Sequence, residues 1–210
     1  SSGRLYYATN GFRADSLVYV YSADGEFIKT FGALAGKKFS DYEVSQLRES
    51  LKKRVLPDAV KNSVLLCATS EDEIFAVHTA MPILKKYTRD GAKTAEIEIK
   101  NPEFDKLRND FFATNDTLPA FSFKPLRFWN DIAADAEGGV VLLYNDPNRL
   151  SVWHFNTEGR LIKRYFGPKI NASKIFVDSD ELWAVGRQNL VFYRFSLLPQ
   201  EKVAANNLDQ

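Results

Sequence analysis

The sequence predicts an all-β protein made of repeated four-stranded antiparallel sheets, and three observations carry that prediction. The stretch from Trp129 to Gly167 reads as four short apolar runs, NDIAAD, GVVLLYN, RLSVWHFN and RLIKRYFG, separated by the turns AEGG, DPN and TEG. Parts of this unit recur: DGEFIKTFG near the N-terminus repeats EGRLIKRYFG, with a Gly turn before an apolar-apolar-Lys strand that closes on Phe-Gly. Aromatic residues make up 13% of the chain, with 16 Phe and 9 Tyr grouped beside Val and Ile, which favours strands over helices. The interval between the equivalent turn positions Gly138 and Asp180 is 42 residues, the length of one propeller blade. The predicted fold class is therefore a β-propeller of four-stranded antiparallel blades, with two short helical insertions between blades.

Taken in order, the first repeat covers residues 1–32. Its Ser2-Gly3 aligns with the Glu137-Gly138 turn, so Leu5 to Tyr7 matches a second strand, Leu17 to Tyr21 a third and Phe27 to Gly32 a fourth. The innermost strand of this copy is missing, and the chain is predicted to be a propeller domain incomplete at its N-terminus. A helical insert follows over 40–56. There Ser40-Asp41-Tyr42-Glu43 has the pattern of a capping box, Val44, Leu47, Leu51 and Val55 form an apolar stripe, and Pro57 stops the helix.

The second repeat, 62–99, places turns at Ser70–Asp72, Met81-Pro82 and Asp90-Gly91. A second insert covers 102–113, with Asn101 as cap, Pro102 at the first helical position, and Phe104, Leu107 and Phe111 along one side. Both helices are expected to pack on the rim of the strands. The third repeat is 129–167, and the fourth, 172–198, offers three strands before dissolving into PQEKVAANNLDQ.

The runs VVLLY, LVYVY, VLLC and LVFYRF are apolar on both faces, where a sheet with one wet face would alternate. Stacked blades cover both faces of a sheet. A β-sandwich is the rival, but it would show polar outer faces, which are absent. Lys and Arg between apolar residues in FIKTF and LIKRYF suit exposed outer edges that must not pair with other chains.

The succession of a strand, a D/S-x-G turn, further strands, a D-G turn and F-hydrophobic-K-x-F-G resembles NHL-type and related six-bladed β-propellers over about three quarters of the chain. The resemblance implies about four blades of six, with missing blades or a second chain completing the ring, and an extracytoplasmic location. It also implies a scaffold or ligand-binding role, or less often a metal-dependent hydrolase or lyase with its site in the central channel.

Composition excludes several classes of function. Lys plus Arg number 28 against 27 Asp plus Glu, a net charge of +1, so no long-range field would gather nucleic acid. The single cysteine, Cys67, sits in the apolar run LLCATS and reads as a buried structural thiol. No apolar stretch approaches the roughly 18 residues of a membrane helix. No signal peptide is read, although the abrupt opening Ser1-Ser2-Gly3 is compatible with upstream trimming. There is no G-x-S-x-G, H-E-x-x-H, phosphate-binding glycine loop or D-x-D-x-D-G loop. His78 falls on a second strand and His154 on a third, away from the channel-lining strands, so neither is expected to hold a metal.

The predicted function is thus a binding or interaction module without catalytic residues, metal or cofactor. The alternatives are a channel-site hydrolase or lyase with further ligands on absent blades, or a structural subunit of a larger assembly. Starts of innermost strands converge at one mouth of a propeller channel. Asn62, Asn130, Asp131 and Ser173 are therefore the candidate ligand-binding residues for a small molecule, peptide or protein, with Trp129 as a stacking wall.

Overall fold

The computed structural model describes residues 3–11, 15–41, 43–119, 122–179, 181–186 and 192–196. Tyr42 of the expected capping box, the turn residue Asp180, the start of LVFYRF and the C-terminal tail lie outside these residues. Four antiparallel sheets follow one another along the chain. The first holds β1 (Arg4–Ala8), β2 (Ser16–Ser22) and β3 (Phe27–Ala33). The second holds β4 (Val64–Ala68), β5 (Ile74–His78), β6 (Ile83–Tyr87) and β7 (Lys93–Glu98). The third holds β8 (Trp129–Ala134), β9 (Val140–Tyr144), β10 (Ser151–Phe155) and β11 (Leu161–Phe166), and the fourth β12 (Ala172–Asp178), β13 (Glu181–Gly186) and β14 (Phe192–Ser196). Among the described residues strands pair only with sequence neighbours, so each sheet is a meander.

The sheets stack face to face in chain order. One apolar core joins sheets one and two through Val18, Val20 and Phe31 against Val64, Ile74 and Ala76. A second joins sheets two and three, and a third joins sheets three and four through Val141, Leu143 and Val152 against Ile175, Leu182 and Ala184. This explains the missing alternation. Every residue of β5 (IFAVH) and of β9 (VVLLY) is buried because both faces of those strands are covered.

The innermost strands β4, β8 and β12 lie side by side. β1 is not one of them. It contacts β4 as β5 contacts β8 and β9 contacts β12, the relation of a second strand to the innermost strand of the next sheet. Bulges agree with this assignment: the register shifts at Val20/Tyr21, Lys86/Tyr87 and His154/Phe155 all fall between a third and a fourth strand. Those at Trp129/Asp131 and Ala172/Lys174 fall between a first and a second. Among the described residues no strand pairs with the inner edge of β1, and none with the outer edge of β14.

Turn chemistry locks the stack. Gly159, at φ 76° in the β10–β11 turn, has no side chain where Ile97 of the second sheet packs against it. A Cβ there would be strained in conformation and would collide with Ile97.

The inserts depart from expectation at their ends. Helix α1 (Val44–Lys52) begins at Glu43 with no side-chain cap, because Ser40 sits in a preceding 3-10 turn and bonds Asp41 instead. Leu51 is buried, whereas Val55 lies beyond the helix and is 53% exposed. The chain turns at Arg54, whose φ is 58°, and Pro57 opens a further short helix, α2 (Asp58–Lys61). Helix α3 (Glu103–Thr117) runs four residues past its predicted end. Its last turn is held from outside: the buried Asn115 amide donates to the Phe111 and Lys124 carbonyls and accepts from Lys124 N–H.

α3 also sends side chains inward. Phe104 and Phe111 enter the core between sheets two and three, where Phe104 meets the rings of Phe128, Trp129, Tyr144 and Trp153 at 4.6 to 6.0 Å. Burying each such side chain contributes about 1.5–3 kcal/mol, so this helix is integral to the core.

Candidate functional site

In a meander the start of the first strand, the loop from the second to the third, and the exit of the fourth all lie at one end of the sheet. At that end, between sheets three and four, a cleft of about 500 Å³ opens. Its walls are Asn130 at the start of β8, Asn145, Asp146 and Arg149 of the β9–β10 loop, and Lys169 and Asn171 ahead of β12. Leu143, Leu150, Ile170 and Ala172 supply the apolar lining.

Several of these groups are held in place. Asn130 Nδ2 donates to Asn145 Oδ1 at 3.2 Å, and Asn145 Nδ2 donates to the Arg127 carbonyl at 3.0 Å. Asp146 accepts from Asn148 N–H at 2.8 Å and from Arg149 Nε at 3.3 Å, while the Arg149 guanidinium lies 3.8 Å from the Phe166 ring centre. Lys169 and Asn171 make no hydrogen bond or ion pair among the described residues. The site thus combines a fixed amide pair and a fixed cation with a second cation and a third amide that have no partner among the described residues.

A second cleft, of about 560 Å³, lies beside Met81, Pro82, Phe104 and Phe128. Its cations are already engaged, Arg54 with Asp116, Lys61 with Asp58 and Arg108 with Asp105. The first cleft is the better candidate.

The five residues singled out from the sequence part company. Asn130 lines the cleft, and Ser173 is half-buried beside its lining residue Ala172. Trp129 is fully buried among Phe104, Tyr144 and Trp153, with centroids 5.4 to 5.7 Å away, so its ring is a core wall with no exposed face. Asn62 is also fully buried. Its Oδ1 accepts from Ala35 N–H at 2.7 Å and its Nδ2 donates to the Lys37 carbonyl at 3.2 Å, which clamps the loop after β3.

Asp131 is 7% exposed and joins two innermost strands, accepting from Ile175 N–H and from Lys174 Nζ, each at 2.9 Å. The Lys174 side chain is 67% exposed, so that ion pair is weakly stabilising and the buried N–H bond dominates. Asp131→Ala is expected to cost about 1–3 kcal/mol by stranding the Ile175 N–H, and Asp131→Asn to recover most of it. Urea unfolding midpoints of the two variants check this; an alanine variant as stable as wild type would contradict it.

The other chemistry-bearing side chains are tied into the framework. His78 Nδ1 donates to the Lys61 carbonyl at 2.7 Å, and burial lowers its pKa to about 4. His154 Nε2 lies 2.6 Å from Asp135 Oδ2. Burial pushes the Asp135 carboxyl up, but hydrogen bonds from His154 and from the Gly139 and Glu137 N–H groups outweigh it and hold the group below its ordinary value. Cys67 on β4 packs on the central core, and burial raises its pKa, so it is a thiol. Among the described residues no three of His, Cys, Asp and Glu lie together as a metal-binding group, and no helix is long and apolar enough to cross a membrane.

No protein-family model matches the chain, and no curated protein matches it. Solved structures do. A streptogramin B lyase superposes with a TM-score of 0.53 at 16% identity, over 93% of this chain and 49% of its own. A member of the DUF4221 family from Bacteroides vulgatus gives 0.48 at 11% identity, over 93% of this chain and 62% of its own. A calcium-binding protein, regucalcin, from Agrobacterium tumefaciens gives 0.42 at 14%, over 90% and 52%. The chain spans about half the length of the first of these. It is an all-β chain of propeller-type fold, with four antiparallel sheets of three or four described strands.

Proposed function

We propose that this chain is part of a non-catalytic binding propeller of the six-bladed, NHL-like kind, and that its ligand is a small polar molecule or peptide held in the cleft between the third and fourth sheets. The observation that carries this reading is the pairing of two kinds of polar group there: Asn130 and Asn145 orient one another, while Lys169 and Asn171, beside an apolar lining, make no hydrogen bond or ion pair among the described residues. Preset donors beside unsatisfied ones orient a ligand at low entropic cost. Both histidines lie outside this cleft and are held by framework hydrogen bonds, and its one carboxylate among the described residues, Asp146, is engaged by Asn148 N–H and Arg149.

The test is a binding screen of small metabolites and short peptides followed by NMR. Hits are expected to shift the side-chain amides of Asn130, Asn145 and Asn171, and Asn171→Ala with Lys169→Ala is expected to weaken them at least about tenfold, or about 1.4 kcal/mol. Hits that map away from these amides, or any hit that is turned over, would overturn the reading.

A further inference from the structure

A smaller cleft, of about 250 Å³, opens between α3 and the segment that leads into β8. Leu107 and Phe111 of the helix, Leu126, and Pro147 of the β9–β10 loop give it an apolar lining. Asn145 and Pro147 also line the larger cleft between sheets three and four, so the two clefts flank the β9–β10 loop and share a wall. Ligand pockets usually run to roughly 300–1,000 Å³. The smaller cleft falls below that range. It has room for one side chain of a ligand that continues across the shared wall.

Charge around the pair is one-sided. Arg149 and Lys169 line the larger cleft, and Lys124 and Arg127 the smaller. Lys124, Arg127 and Lys169 are exposed, and their side chains make no hydrogen bond or ion pair among the described residues. Two carboxylates oppose them: Asp146, already engaged by Asn148 N–H and Arg149, and Asp110 of α3. Four cations against two carboxylates leave a local excess of positive charge, on a chain whose net charge is only +1.

The amides narrow the ligand further. Asn130 Oδ1 and the Asn171 amide have no partner among the described residues. Amide oxygens accept from N–H donors, which an inorganic anion or a simple dicarboxylate does not carry. A peptide backbone carries one at every residue except proline. We propose that the ligand of this end of the molecule is an acidic peptide segment with one large apolar residue. The apolar side chain fills the smaller cleft, the backbone runs past Asn145 to Asn130 and Asn171, and the carboxylates meet the four cations. The inference rests on the binding role proposed for the larger cleft and adds the chemistry of its ligand.

Panning a random peptide library displayed on phage against the folded chain tests this. Selected peptides are expected to carry Asp and Glu around one large apolar residue, and to bind less tightly as salt is raised. Synthetic copies are expected to shift the side-chain amides of Asn130, Asn145 and Asn171 in NMR spectra. Arg127→Glu, an exposed change outside the larger cleft, is expected to weaken them about fivefold or more. Asp110→Asn, which removes the opposing carboxylate, is expected to tighten them about two- to fivefold, a gain that misfolding cannot produce. A selection that yields no peptide, or peptides without acidic enrichment, would overturn the inference, as would an oligonucleotide that binds more tightly than the acidic peptides. Peptides that shift the three amides but respond to neither variant would sink the acidic ligand and leave the binding role of the larger cleft standing. Acidic peptides that leave those amides unmoved would sink both.

Discussion

Replacing Trp129 by alanine is expected to lower stability by about 3–5 kcal/mol. The ring is fully buried and touches Phe104 from α3, Tyr144 from β9 and Trp153 from β10. Removing it opens a cavity that rigid strands and a helix pinned at Asn115 cannot collapse to fill. Its Nε1 is buried with no hydrogen-bond partner among the described residues. Trp129→Phe therefore discards an unsatisfied donor together with part of the ring, and is expected to cost under about 1.5 kcal/mol. Asn130→Ala, one residue along, breaks one half-exposed amide bond and is expected to stay within about 1 kcal/mol. Urea titrations of the three variants separate core from cleft. An alanine variant near wild-type stability would mean that Trp129 does not anchor the junction of α3 with the third sheet.

The chain is expected to lose stability in acid between pH 6.5 and about 4 through His78. Burial, the largest influence, favours the neutral ring, which keeps the folded pKa near 4 against 6.5 in the unfolded chain. The folded pKa is depressed, so the contribution is fully present above pH 6.5 and is lost as pH falls toward 4, because only the unfolded chain takes up the proton in that window. The loss amounts to about 3 kcal/mol across the window. His78→Asn, whose amide can still reach the Lys61 carbonyl, is expected to flatten this part of the stability–pH curve. Equal slopes for variant and wild type between pH 4 and 6.5 would show that another group governs the acid limb.

The sequence determined the strands, the turns and the order of the sheets, because each rests on local chemistry. Asp-Gly and Glu-Gly pairs favour chain reversal through their own backbone chemistry, and the alignment of Ser2-Gly3 with Glu137-Gly138, beside the match of DGEFIKTFG to EGRLIKRYFG, pointed to β1 as a second strand. It also showed which strands are apolar on both sides, and so that LVYVY would present aromatics on any face left free. The candidate site was legible only in part. Asn130 lies where strand starts converge, but Asn145, Lys169 and Asn171 sit in turns whose residues backbone geometry alone could explain, and only the meander rule places those turns at the same end.

What tertiary structure decided is which polar strand-start residues face solvent. Asn62 is claimed by an N–H 27 positions away and Asp131 by one 44 positions away, so both became framework. Phe104 and Trp129, from an insert and a strand start, were drawn into one core for the same reason. Burial is a property of neighbours, and these neighbours come from elements remote in sequence, where neither turn chemistry nor periodicity carries information.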